Sequence, residues 1–214
     1  MTSFSELMGE QTLLPIIQAD SVEQGLNIAK AMASTGISLV EVVLRTEASI
    51  DIIKALKSEL PDLKVGAGTV TDADILKQAL DAGSDFIITP TISTKLLTQL
   101  STCSVPVVPG VSTASDILLA KEFGYRELKL FPASLSGGIP FLKAMSSIFR
   151  NIKFCPTGGI NEDNQHEYLA LTNVFAVGGT WIAKSDWVES GQWSKVTAAC
   201  NAAQGFRPIE IMNN

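Results

Sequence analysis

Histidine is almost missing from this chain: His166 is the only one in 214 residues. Cysteine is also scarce. Cys103, Cys155 and Cys200 are odd in number and widely spaced, with neither metal-ligand spacing nor a partner imidazole motif, so a metal centre and a thiol–imidazole nucleophile are both disfavoured. We expect three reduced thiols in a cytoplasmic protein, with Cys155 serving as a small strand hydrophobe. Charged residues make up 18% of the chain and the net charge is −6, which argues against a nucleic-acid footprint, since that needs a basic face. No apolar stretch approaches the ~20 residues that span a bilayer, and the first residues have neither the basic nor the apolar region of a signal peptide. The expectation is a soluble protein without membrane or nucleic-acid partners. An anionic small-molecule substrate stays open, because a few local cations and backbone amides can outweigh the global field.

Hydrophobic residues are abundant, at 46%, enough for a large core. Short apolar runs fall at 14–18, 39–44, 64–66, 86–89, 105–108, 127–131, 153–155 and 174–177, and amphipathic segments of helical period separate them. Helix starts are expected at Ser21, at Thr71 or Asp72, and at Ser93, Thr113 and Asn161; helix ends are expected at Gly36, Gly83 and Gly124. The stretch 187–206 predicts one final helix. Alternating strands and helices imply a parallel sheet covered by helices. Eight such units in 214 residues, about 27 each, predict a single-domain (β/α)8 barrel over 1–214, somewhat shorter than the usual ~250 residues. An open doubly wound sheet is the runner-up, weakened by the lack of G-x-G-x-x-G after the first strand.

Charge embedded in two of these runs points to chemistry. In 127–131, Lys129 shares neither face with Leu128 and Leu130, so the leucines meet helices and the lysine turns into the lumen. By the same alternation Glu41 and Arg45 project inward from the run at 39–45. An interior ion pair with no function is the bland alternative, but buried pairs are usually no more stabilising than apolar residues of equal volume. A lysine held inside a barrel is a starting point for Schiff-base chemistry on a carbonyl, which requires the free amine.

Two double glycines, Gly158-Gly159 and Gly178-Gly179 followed by Thr180, come after the seventh and eighth strands, where this fold commonly builds phosphate sites from backbone N–H groups. The small-residue run ending at Thr69 is read equally well as a tight turn or as a gap that admits substrate.

Several segments together are similar to the 2-keto-3-deoxy-6-phosphogluconate (KDPG) and 4-hydroxy-2-oxoglutarate (KHG) aldolases. They are Val40-Glu-Val-Val-Leu-Arg-Thr-Glu47, Val65-Gly-Ala-Gly-Thr-Val70, Val108-Pro-Gly-Val-Ser-Thr113, Lys129-Leu-Phe-Pro-Ala133, Phe154-Cys-Pro-Thr-Gly-Gly-Ile160 and Val177-Gly-Gly-Thr-Trp181. They occur in order along nearly the whole chain. The resemblance implies a class I aldolase on a (β/α)8 barrel, without cofactor or metal, assembled as a homotrimer and acting on a small 2-oxo acid phosphate. It implies Lys129 as the Schiff-base lysine and Glu41 as the general acid/base. Arg45 and Thr69 then hold the pyruvate carboxylate, and Pro90, Phe131 and Thr157 line the pocket. Gly158, Gly159, Gly178, Gly179 and Thr180 bind the phosphate. Ser134 departs from the pattern, since an acidic residue often follows Phe-Pro-Ala in that family; preference for the distal part of the substrate is the property this touches. The galactonate-derived substrate, a phosphosugar isomerase on the same barrel, and a ligand-binding barrel without turnover are the competing readings.

Overall fold

A computed structural model describes residues 3–204. Nine strands and ten helices alternate over most of that length: α1 Phe4–Met8, β1 Leu13–Ile17, α2 Val22–Ala33, β2 Leu39–Val43, α3 Ser49–Glu59, β3 Lys64–Gly68, α4 Ala73–Asp81, β4 Phe86–Ile88, α5 Thr94–Leu100, β5 Val107–Val108, β6 Gly110–Val111, α6 Ala114–Glu122, β7 Glu127–Leu130, α7 Gly138–Ile148, β8 Lys153–Pro156, α8 Gln165–Leu169, β9 Val177–Gly179, α9 Ser185–Glu189 and α10 Trp193–Gln204. All strand pairs are parallel, in a six-stranded sheet ordered β5-β4-β3-β2-β1-β9 and a three-stranded sheet ordered β6-β7-β8. Only Pro109 separates β5 from β6, and a proline has no N–H to donate to a ladder. A parallel bridge from Thr157 to Gly178 links the end of β8 to β9.

Strand alternation divides the core in two. Leu13, Ile17, Val40, Val42, Val65, Ala67, Ile87, Leu128, Leu130 and Phe154 pack with the helices in the larger cluster. The opposite parity supplies Leu14, Leu39, Phe86, Ile88, Val108, Cys155 and Ala176, a second cluster drawn from both sheets. Phe4 and Met8 of α1 complete that second cluster, and the Phe4 ring lies 4.9 Å from Phe86. Leu39 and Phe86 open their strands, so α1 sits at the N-terminal ends of the strands. There the Glu127 carboxylate accepts from the Phe4 N–H at 2.7 Å and from the N–H and hydroxyl of Ser5.

Several boundaries differ from those expected. The apolar run at 105–108 is a strand only at 107–108, and a second short strand at 110–111 follows Pro109. The helix expected over 187–206 is two helices, because Gly191 adopts φ 66° between α9 and α10; residue 206 lies outside the described residues. Ser21, Asp72, Ser93 and Thr113 do cap their helices, each side chain accepting from a first-turn N–H. Asn161 precedes its helix by a turn, and Asn164 occupies the cap position of α8. The eighth strand lies later than 174–177, so Gly178 and Gly179 belong to β9 and not to a turn after it. A side chain at Gly178 would run into the Thr157 hydroxyl, which lets the two strands approach there.

Candidate active site

Lys129 and Glu41 come from different sheets and meet in the interior. The Lys129 Nζ donates to both Glu41 carboxylate oxygens, at 3.0 and 3.3 Å. The carboxylate is fully buried and the lysine side chain is 5% exposed. The pair is formed because Glu41 and Lys129 share the inward parity of β2 and β7. Gly68, at the end of the neighbouring strand β3, leaves the room in which the Glu41 carboxylate lies; a Cβ there would collide with Oε1. Cys155, beside Lys129 in register on β8, has its thiol pushed up to about 12 by burial, so it stays protonated and inert.

Above the pair is a cavity of about 140 Å³ whose walls include Ile16, Val43, Arg45, Lys129, Phe131 and Thr157. The Lys129 Nζ lies 5.4 Å from the centre of the Phe131 ring, two residues on along the same face. Arg45 reaches the cavity differently from the expected strand alternation. It lies beyond β2, where its N–H bonds to the Val43 carbonyl at 2.9 Å and the chain bends. Its guanidinium Nε donates to the Thr69 hydroxyl at 3.2 Å. Thr69 has φ 65°, the one described non-glycine residue in the left-handed region. For a β-branched residue that conformation is strained, and such strain collects at functional positions.

The glycines close the cavity on its other side. Three consecutive carbonyls are turned outward. Thr157 O accepts from Ala133 N–H at 2.8 Å, Gly158 O from Ser134 N–H at 3.0 Å, and Gly159 O from the Asn164 side chain at 2.9 Å. In a planar trans peptide the N–H points opposite to the preceding C=O. The N–H groups of Gly158, Gly159 and Ile160 thus point away from those partners, and the three residues line the cavity with Gly179 and Thr180. Gly158 and Gly159 have φ of 92° and 82°, a backbone that residues with a Cβ rarely adopt.

Of the residues singled out in the sequence, Lys129, Arg45, Phe131, Thr157, Gly158, Gly159, Gly179 and Thr180 line this one cavity. Glu41 lies beneath Lys129 and Thr69 behind Arg45. Gly178 is buried under Thr157. Pro90 is not in the cavity wall; its backbone is packed against Gly110. Trp181 stacks over Gly179 and borders a neighbouring cavity of about 330 Å³ that shares Ile16 and Thr180 with the first. Ile16 and Val43 also form the wall, as the inward parity of their strands implies. Among the described residues no three carboxylate, thiol or imidazole side chains converge as a metal site would, and no helix is long and apolar enough to cross a membrane.

The chain is matched over residues 4–199 by the family model described as "KDPG and KHG aldolase". It is 43% identical to a 2-dehydro-3-deoxy-phosphogluconate aldolase of Pseudomonas aeruginosa, over 89% of this chain and 86% of that one. A KHG/KDPG aldolase of Escherichia coli is 36% identical, with 94% and 95% covered. Among solved structures, the KDPG aldolase of Legionella pneumophila, with pyruvate captured as a covalent carbinolamine, superposes with a TM-score of 0.90. That protein is 38% identical, with 93% of this chain and 97% of that one covered. With an interior lysine, a carboxylate against it and a glycine-walled cavity above, this chain belongs to the KDPG and KHG aldolase family.

Proposed function

We propose that the protein is a class I aldolase that cleaves 2-keto-3-deoxy-6-phosphogluconate to pyruvate and glyceraldehyde 3-phosphate, and that it also accepts 4-hydroxy-2-oxoglutarate. The observation that carries this reading is the buried Lys129–Glu41 pair, bonded at 3.0 Å under a cavity with an anion cradle on one side and Arg45 on the other.

The steps follow from that geometry. Passing a proton from Nζ to Glu41 along their hydrogen bond leaves an amine free to attack the C2 ketone. The carbinolamine loses its C2 oxygen as water, with Glu41 returning the proton, and an iminium forms on Lys129. Arg45 and the Thr69 hydroxyl hold the C1 carboxylate, while the Gly158, Gly159 and Ile160 N–H groups and Thr180 hold the phosphate. Glu41, directly or through water, takes the C4 hydroxyl proton; the C3–C4 bond breaks, the aldehyde leaves, and the electron pair passes into the iminium to give an enamine. Protonation at C3 and hydrolysis release pyruvate and restore the amine. Proton shuttling of this kind contributes ~100- to 10,000-fold.

We read the two sheets as one single-domain (β/α)8 barrel. The ladder that continues past Pro109 and the Thr157–Gly178 bridge support closure at both seams. Homotrimeric assembly and a cytoplasmic setting accompany the family reading, and light scattering tests the first.

The decisive experiment is borohydride reduction in the presence of pyruvate, followed by peptide mass spectrometry. An adduct on Lys129 is expected, and an unmodified Lys129 overturns the aldolase reading. Turnover of the gluconate-derived, galactonate-derived and unphosphorylated substrates, measured side by side, then ranks them; the gluconate-derived one is expected first.

A further inference from the structure

We propose that Asn164 is a positioning residue for the substrate phosphate, acting through the Gly159 peptide and not by touching the ligand. The inference rests on the aldolase reading above and names the group that sets preference for a phosphorylated substrate.

The cradle at 157–160 depends on three outward carbonyls. Two are held by backbone donors, Ala133 N–H and Ser134 N–H, from the segment that directly follows the lysine strand. The third, Gly159 O, is held by the Asn164 Nδ2 at 2.9 Å. The N–H of that same peptide belongs to Ile160, which lines the cavity. Gly158 and Gly159 lack a Cβ and adopt positive φ, so they have many alternative conformations and need an external restraint.

Asn164 is itself held on both sides. Its Oδ1 accepts from the Asn161 N–H at 2.9 Å, and the Asn161 Oδ1 accepts from the Asn164 N–H at 3.1 Å and the Asp163 N–H at 2.9 Å. The amide orientation follows from the polarity of its two backbone partners: the oxygen faces an N–H and the nitrogen faces a carbonyl. An amide is therefore needed at 164. A carboxylate keeps the bond to Asn161 but sets an oxygen against Gly159 O, and alanine removes both bonds without adding charge. Asn164 does not line the cavity, and it contacts neither Lys129 nor Glu41 by hydrogen bond. Loosening the cradle weakens phosphate binding and leaves the lysine chemistry alone.

The test uses Asn164→Ala and Asn164→Asp in the full chain. Three quantities are measured: kcat and KM on 2-keto-3-deoxy-6-phosphogluconate, inhibition by inorganic phosphate, and the rate of borohydride-trapped adduct formation with pyruvate, which carries no phosphate. Both variants are expected to raise KM about tenfold and to weaken phosphate inhibition in parallel, with kcat and the adduct rate within about twofold of the parent. A fall in kcat and adduct rate alongside the rise in KM assigns Asn164 a purely structural role and overturns the proposal. So does a KM that rises only in the Asp variant, since added charge then accounts for it. Failure of the parent to form any adduct removes the aldolase reading, and the proposal with it, and is distinguished by being visible before any substitution. Asn164→Ser provides the same readings if the alanine variant does not fold.

Discussion

Lys129 and Glu41 face each other from opposite sheets with two hydrogen bonds, 3.0 and 3.3 Å long, and neither side chain is more than 5% exposed. Such a pair is costly to break from one side. Lys129→Met leaves a buried carboxylate uncompensated and Glu41→Gln a buried ammonium, so each is expected to lose about 3–5 kcal/mol of stability. The double variant Glu41→Leu/Lys129→Met removes both charges and is expected to recover most of that loss, or to exceed the parent, while remaining inactive. Urea denaturation of the four proteins measures the cycle; additive losses would show that the two groups are not energetically coupled.

Gly68→Ala puts a methyl group where the Glu41 carboxylate lies. The carboxylate must swing out of its bond to Lys129 or the strands must part, an overpacking cost of roughly 1–3 kcal/mol. We expect kcat to fall more than tenfold with KM little changed, and the melting temperature to drop. Wild-type kinetics in this variant would mean that the position of Glu41 is not critical.

Thr69 and Arg45 are expected to separate stability from binding. Replacing the left-handed threonine by glycine relieves backbone strain on the order of 1–3 kcal/mol, against a smaller entropic cost from the unfolded chain. Thr69→Gly should therefore melt no lower than the parent. It also loses the hydroxyl that the Arg45 Nε meets at 3.2 Å, so weaker pyruvate binding is expected, as is also predicted for Arg45→Lys, which lacks the planar fork. Calorimetry and adduct titration report the two effects independently.

Burial raises the Cys155 and Cys200 thiols from their usual 9.0 to about 12 in the folded protein. Below pH 9 they are protonated both folded and unfolded, and their contribution to stability is complete. As pH rises from 9 toward 12 the unfolded chain gives up those protons first, so the contribution is lost through that interval. The denaturation midpoint should fall across it, and less so in a Cys155→Ala/Cys200→Ala variant. At pH 8 neither thiol should react with iodoacetamide until the chain is unfolded.

Much of this site is legible in residue order because strand alternation is a strict rule. Lys129 between Leu128 and Leu130, and Glu41 between Val40 and Val42, leave little choice about which face each takes. Alternation ends with the strand, however. Arg45 reaches the cavity by a bend after β2, and the inward parity assigned to it has no bearing on that route. Thr69 is equally opaque: its φ of 65° runs against the local preference of a β-branched residue. α1 is hard to read in sequence because five residues are too few to show a period; its signals are the Ser3 to Glu6 capping box and the Phe4 and Met8 spacing. Asn161 carries the composition of a helix cap, but the cap position itself falls on Asn164, three residues later and bonded back to it.

The seat of α1 under the strands, pinned by Glu127, gives the reaction chamber a sealed floor. On the aldolase reading the chemistry is thus confined to the other end of the strands, where Arg45 and Thr180 line the cavity.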